Sequence, residues 1–196
     1  MILGITGAFG SGKSAVLSHF AARGWQTADA DRLCHELYEE RNPSLLAALT
    51  GRWGEQVLDD TGGVNRRALG KIVFSAAEEL AELTRLVYPV LEERLAQLTE
   101  SWKKRKLNGA IEVPLLYEAR YESRFDATTA IWTAEKIRHA RLAGRGFTAA
   151  EIRQREERQL APDLKLERAG YALINNGTRR ELEHQIDLLI SQLQSR

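Results

Sequence analysis

The sequence predicts an α/β fold in which short parallel strands form a sheet flanked by helices. Three observations carry that reading. Residues 1–6 are an apolar run ending at Gly7, continuous rather than alternating, as expected of a strand buried on both faces. A helical pattern follows, with Val16, Leu17, Phe20 and Ala21 at helical spacing and Gly24 where a helix should stop. A second short strand pattern occupies 25–28. Strand, helix, strand in that order is the start of a right-handed βαβ unit, which builds parallel sheet.

The rest of the chain extends the plan. Residues 31–106 are mostly helical in pattern, with Leu33, Leu37, Leu45, Leu46 and Leu49 on apolar faces. Asp59-Asp-Thr-Gly-Gly63 marks a turn. A long amphipathic segment at 80–102 is expected to be interrupted at Pro89. Residues 107–113 read as the third strand, closed by Pro114, and 127–133 as the fourth. Residues 134–168 are helical and charged, and 171–174 read as a fifth strand. Thr178 and Glu181 form a capping box for the last helix. Its Leu182, Ile186, Leu189, Ile190 and Leu193 should pack on the sheet.

Composition narrows the class. The chain of 196 residues is 43% hydrophobic and 28% charged, the balance of a soluble globular protein. Its 28 Lys+Arg against 27 Asp+Glu give a net charge of +1, so any anion site must be a local cluster and nucleic acid is not an expected partner. No apolar run approaches the roughly 20 residues that span a bilayer, so no membrane association is expected. No secretory signal is expected either. Cys34 is the one cysteine, which excludes a disulfide framework and makes a cytoplasmic location the expectation.

Chemistry concentrates first at Gly7-Ala-Phe-Gly-Ser-Gly-Lys13-Ser14, a full match to G-x-x-x-x-G-K-[ST]. Glycines let backbone N–H groups converge on one point, and the helix that follows adds the positive end of its dipole. Gly7, Gly10, Ser11, Gly12, Lys13, Ser14 and Ala15 are therefore the candidate ATP-phosphate site. Lys13 is placed to reach the outer phosphates, and Ser14 to offer a hydroxyl to Mg²⁺. The preceding strand and following helix are the context this loop requires, so the fold expected is a three-layer P-loop NTPase.

A phosphate loop alone does not make a transferase, and three other features point that way. Asp29 and Asp31 follow the second strand, where a carboxylate can accept a proton from a substrate hydroxyl; Asp31 can equally be a helix N-cap. Residues 134–168 hold nine Lys/Arg against six acids, with Arg138, Arg141 and Arg145 spaced to share one helix face. Guanidinium groups on such a segment can close over a transferring phosphoryl group; a solvated, salt-bridged helix is the blander alternative. Glu112 ends the third strand, where a carboxylate can sit near Mg²⁺ or merely mark the sheet edge.

Taken together these residues resemble the dephospho-CoA kinase family nearly end to end. The resemblance rests on residues 5–14, Asp29-Ala-Asp31, Gly63-Val-Asn-Arg-Arg-Ala-Leu69 with Val73-Phe74, and Val113-Pro-Leu-Leu-Tyr-Glu118 with Phe125-Asp126. Arg141 with Arg145, Gln159 with Lys165, and Ile174-Asn-Asn-Gly177 complete it. It implies ATP-dependent phosphorylation of the ribose 3′-hydroxyl of dephospho-CoA and a five-stranded parallel sheet. It divides the chain into a nucleotide-binding core (1–35, 105–133, 166–196), a helical substrate domain (36–104) and a lid (134–165). By position it makes Asp31 the general base, with Lys13 and Arg141 as catalytic partners and Arg145 over the phosphates. Asp29, Arg66 and the loop of Pro114, Leu115, Leu116 and Glu118 then face the acceptor. A monomer is the default.

Departures from the family pattern are Phe9 inside the phosphate loop, Trp53 before Gly54, Tyr88 before Pro89 and Gly170 before the last strand. Cys34 reads as a small apolar residue rather than a nucleophile, and His35 as a helix-surface histidine. His19, His139 and His184 show no metal spacing. Trp25, Trp53, Trp102 and Trp132 read as core or boundary residues. Two rival functions remain open: a small-molecule or nucleotide kinase with another acceptor, and a nucleotide-switched regulator that transfers nothing. The lack of an Asn-Lys-x-Asp string counts against a GTPase.

Overall fold

A computed structural model of the chain describes residues 1–73 and 76–195; Phe74, the end of one motif above, lies outside the described residues. The chain divides into two compact units, Met1–Asp29 with Trp102–Arg196, and Ala30–Ser101.

The first unit is built on a five-stranded sheet. Its strands are β1 (Ile2–Gly7), β2 (Gln26–Asp29), β3 (Gly109–Glu112), β4 (Ala127–Trp132) and β5 (Tyr171–Ile174). They lie in the order β2-β3-β1-β4-β5 and every pairing is parallel. The predicted α/β class is therefore the observed one. β1 is central and buried at all positions, as its uninterrupted apolar run requires. The connections leaving β1 and β3 run in opposite directions along the sheet, so the carboxyl edge between these neighbours is a topological switch point.

The sheet unit carries helices of its own, and further helices make up the second unit. The ranges are α1 (Lys13–Ala22), α2 (Ala30–Glu39), α3 (Pro43–Trp53), α4 (Arg66–Val73) and α5 (Ala77–Lys104). After β4 come α6 (Glu135–Ala143), α7 (Ala149–Glu156) and α8 (Pro162–Arg168), and after β5 comes α9 (Arg179–Gln194). On one face, Val16 and Phe20 of α1 join Leu182, Ile186, Leu189, Ile190 and Leu193 of α9 over Leu3, Ile5, Ala110, Ile131 and Leu173. Phe20 meets Trp25 edge-on at 5.0 Å. The expected Thr178–Glu181 capping box starts α9. On the other face, Leu116 and Phe125 pack so tightly on Gly4 that a Cβ there would lie 2.8 Å from each.

The charged stretch 134–168 is three helices rather than one run. Gly146 takes φ +88° after α6, Thr148 starts α7 with a capping box closed by Glu151, and Pro162 opens α8.

The second unit is helical. Its core is formed by Leu33, Leu37, Leu45, Leu49, Trp53, Val57, Leu69, Val73, Val87, Leu91 and Leu95. Asn42 caps α3 by accepting from Leu45 N at 3.0 Å. The expected turn at 59–63 forms because Asp59 accepts from the N–H groups of Thr61 and Gly63.

One expectation fails: α5 is not interrupted at Pro89 but runs through it. The proline removes one backbone donor, at about 3 kcal/mol. Val87, Leu91 and Leu95 continue the buried stripe across it. Each such burial is worth about 1.5–3 kcal/mol, so packing outweighs the lost bond.

Gly109 supplies a stability test, because a Cβ there would lie 2.1 Å from the ring of buried Trp102. Gly109→Ala should destabilise the protein by about 1–3 kcal/mol in urea melts. Gly51→Ala is the contrast: it lies within α3 with open space around it, so about 1 kcal/mol of stabilisation is expected.

Candidate active site

The loop between β1 and α1 is shaped by glycines that no other residue could replace without strain. Gly10 and Gly12 have φ +79° and +98°, and a Cβ on Gly12 would fall 2.3 Å from Asn175 Nδ2. The loop's carbonyls are held by the surrounding protein. Ser11 O accepts from Thr133 Oγ1 at 3.0 Å and Asn175 Nδ2 at 2.8 Å. Phe9 O accepts from Arg138 Nη1 at 3.1 Å. In a trans peptide N–H opposes C=O, so the N–H groups of Gly10 and Gly12 are turned away from these donors. Backbone N–H groups so placed, at the amino end of a helix such as α1, are donors suited to an anion.

Lys13 is buried at 7% exposure. Its ammonium donates to Gly7 O at 3.1 Å and Ala8 O at 3.3 Å and lies 4.0 Å from Glu112 Oε1. Glu112, left open between two roles above, is buried and sits at the switch point beside Lys13. In the sheet register its partner is Asp29, the last residue of β2. Ser14 and Ala15 are exposed on the first turn of α1, while Ser11 Oγ is buried with no hydrogen-bond partner among the described residues.

The three arginines expected on one helix face have three different situations. Arg138 is buried, and besides Phe9 O it donates to Thr133 O at 3.2 Å and pairs with Glu156. Arg141 donates from Nη2 to Asn175 O at 3.1 Å, and its buried Nη1 has no hydrogen-bond partner among the described residues. Arg145 lies beyond the end of α6, exposed, with its guanidinium 5.7 Å from the centre of the Phe147 ring. Arg138 and Arg141 stay three apart within α6, but Arg145 leaves the shared face because α6 stops at Ala143, before the glycines on either side of it.

Burial alone would push the Glu156 carboxyl up, but hydrogen bonds from Arg138 and His139 bring it net below the usual range. Its stabilising contribution is therefore complete above the ordinary carboxylate range and is lost as pH falls through the lowered value. Glu156→Gln should flatten the acid limb of a stability–pH curve; an unchanged limb would rule out this pair as its source.

The loop after β3 is more structural than its sequence suggests. Pro114 O accepts from Thr6 Oγ1 at 3.3 Å and Lys165 Nζ at 2.5 Å. Glu118 Oε1 accepts from Leu160 N at 2.7 Å and pairs with Lys165 Nζ at 2.9 Å. Lys165 is wholly buried, and burial lowers its pKa against the opposing pull of Glu118. Leu116 is also wholly buried, so its side chain serves the core; Pro114 and Leu115 are half-buried. Charge counting made Lys165 one of nine cations on a segment read as a lid, and only its position next to Glu118 in space reveals the pair.

In the second unit, Asp31 is exposed in the first turn of α2, which begins one residue earlier, so it is not the N-cap. Arg66 opens α4 and its Nη2 lies 3.0 Å from His35 Nε2, a partnership that sequence spacing did not signal. Cys34 is half-buried. Burial raises its thiol pKa against a hydrogen bond with Tyr38, which suits the expectation that it is no nucleophile. His19 pairs with Asp187 at 2.8 Å and His139 with Glu156 at 3.1 Å. Among the described residues no group of three or more His, Cys, Asp or Glu could hold a metal, and no helix is long and apolar enough to cross a membrane.

Replacing Lys165 by Met would strand the buried Glu118 carboxylate. Lys165→Met should therefore cost about 3–5 kcal/mol in denaturant melts, and adding Glu118→Leu should recover part of the loss. A single variant as stable as wild type would deny the pair its place.

Comparison with known proteins agrees with the geometry. A Thermus thermophilus protein, TT1252, superimposes with a TM-score of 0.80 at 30% identity, covering 98% of this chain and 97% of that one. A Campylobacter jejuni dephospho-CoA kinase superimposes at 0.74 with 19% identity, covering 98% and 96%. A shikimate kinase from Acinetobacter baumannii shares the fold at 0.54 and 16% identity, covering 100% and 95%. In sequence, a dephospho-CoA kinase of Enterococcus faecalis is 33% identical over 186 residues, 94% of this chain and 93% of the relative. The dephospho-CoA kinase family profile matches residues 1–181, and with the phosphate loop, the switch-point carboxylate and the parallel sheet in place, this chain belongs to that family.

Proposed function

We propose that the chain's phosphate loop binds ATP and that the chain transfers the γ-phosphoryl group to the ribose 3′-hydroxyl of dephospho-CoA, giving CoA and ADP. This is the last step of coenzyme A synthesis. The observation that carries the reading is the loop itself: its carbonyls are held by Thr133, Arg138 and Asn175, and Lys13 lies at its base beside Glu112.

The roles follow from the chemistry of each group. The N–H groups of Gly10 and Gly12 and the amino end of α1 hold phosphate oxygens. Lys13 follows the outer phosphates by exchanging its two carbonyl acceptors for anionic ones, a stronger charge-assisted bond. Arg141 has an unused buried donor and a fixed neighbour in Asn175, which suits it to neutralise charge on the moving group. Arg145 is exposed and closes with it over the phosphates. Ser14 offers a hard hydroxyl oxygen on the exposed first turn of α1, a donor type that fits Mg²⁺. Mg²⁺ bound there would neutralise phosphate charge.

Asp31 accepts the proton of the acceptor hydroxyl as its oxygen bonds to the γ-phosphorus and the bond to the β–γ bridging oxygen breaks. Its support is its place two residues beyond β2 and its match to the family's Asp-Ala-Asp. Asp29, Arg66, Pro114, Leu115 and Glu118 serve the acceptor side. We assign acceptor binding to 36–104 and lid closure to 134–165, in a cytoplasmic monomer.

An ADP-release assay across dephospho-CoA, nucleosides and nucleoside monophosphates tests the reading. Release is expected only with dephospho-CoA; release with another acceptor alone would replace it. Asp31→Ala should lower turnover by about 10²-fold or more while ATP binding persists. Near-normal turnover would remove Asp31 as the base.

A further inference from the structure

Phe9 is the one bulky side chain inside the phosphate loop, and every handle it has is occupied. Its N–H donates to Gln159 Oε1 at 2.9 Å, and its carbonyl accepts from Arg138 Nη1 at 3.1 Å. Its ring meets Phe147 edge-on, with centroids 5.1 Å apart and planes at 84°. The Arg155 guanidinium lies 4.9 Å from the Phe9 ring centre and 5.1 Å from that of Phe147. Arg145 lies 5.7 Å from the other aromatic, Phe147. The next loop residue, Gly10, has so little room that a Cβ would come within 2.9 Å of Leu142.

These partners come from α6, the α6–α7 loop, α7 and the α7–α8 connection. We propose that Phe9 is a positioning residue that couples the phosphate loop to the arginine-bearing segment 134–160, so that the aromatic–guanidinium cluster tunes nucleotide affinity. A small residue at this position would keep the two backbone bonds but lose the ring. The loop tip would then be free to shift without moving Phe147 and Arg155. Binding ATP would have to order both pieces separately, and affinity would fall. The inference rests on reading this loop as the ATP site.

Calorimetric titration of the full chain with Mg·ATP separates the two claims. If the wild type binds no ATP, the site assignment fails; if it binds and the variants match it, only the coupling fails. Phe9→Leu and Phe147→Leu should each weaken ATP binding by about two- to fivefold, the scale of one exposed aromatic–cation contact. The double variant should be no weaker than the weaker single, since both remove one cluster. Phe9→Tyr should restore most of the affinity, and KM for dephospho-CoA should stay within about twofold throughout. Wild-type ATP affinity in both singles would overturn the proposal. Losses that multiply in the double variant, or an equal rise in acceptor KM, would also overturn it. Phe147 lies outside the phosphate loop, so its variant decides the matter should Phe9→Leu fail to fold.

Discussion

A loop that offers its N–H groups to an anion must place its carbonyl groups somewhere else. That constraint organises the first unit. Ser11 O is held from β5's exit by Asn175 and from β4's exit by Thr133, while Phe9 O is held by Arg138 from α6. Each donor comes from a different later part of the chain, so the loop is complete only when the sheet is. The positive φ of Gly10 and Gly12 is the local part of the same constraint.

Burial of charge follows from it. Lys13 and Glu112 lie nearly out of solvent at the switch point, and the wholly buried Lys165 pairs with the partly buried Glu118 behind the loop after β3. Such pairs are weak evidence of stability, since desolvation offsets most of the attraction. Their value here is positional. Lys165 ties Pro114 to α8, and Glu118 ties the α7–α8 connection to the same loop. The arginine-bearing segment is thereby held at both the phosphate loop and the end of β3.

Much of this was legible in the residues. The phosphate loop was readable because its geometry needs specific residues at fixed spacing, and β1 because a strand buried on both faces is a continuous apolar run. The last helix announced its start through Thr178 and Glu181. What failed to show were matters decided across long separations. Local propensity suggested a break at Pro89, but packing of Val87, Leu91 and Leu95 carries α5 through it. Helical spacing put Arg138 with Arg141 and Arg145, yet Arg138 is drawn inward by Phe9 O and Glu156. Lys165 looked like one charge among many because its partner is 47 positions away in the chain. The link between Arg66 and His35 has no periodic signature either.

The central claim is that this loop delivers the terminal phosphate of ATP to one hydroxyl. Incubation with dephospho-CoA and ATP labelled at the γ-phosphorus, followed by locating the label, tests it most directly. The label should appear as a monoester on the ribose 3′-oxygen of CoA, with Lys13→Ala transferring almost none. Label recovered as inorganic phosphate whether or not dephospho-CoA is present, or as an ester elsewhere, would contradict it.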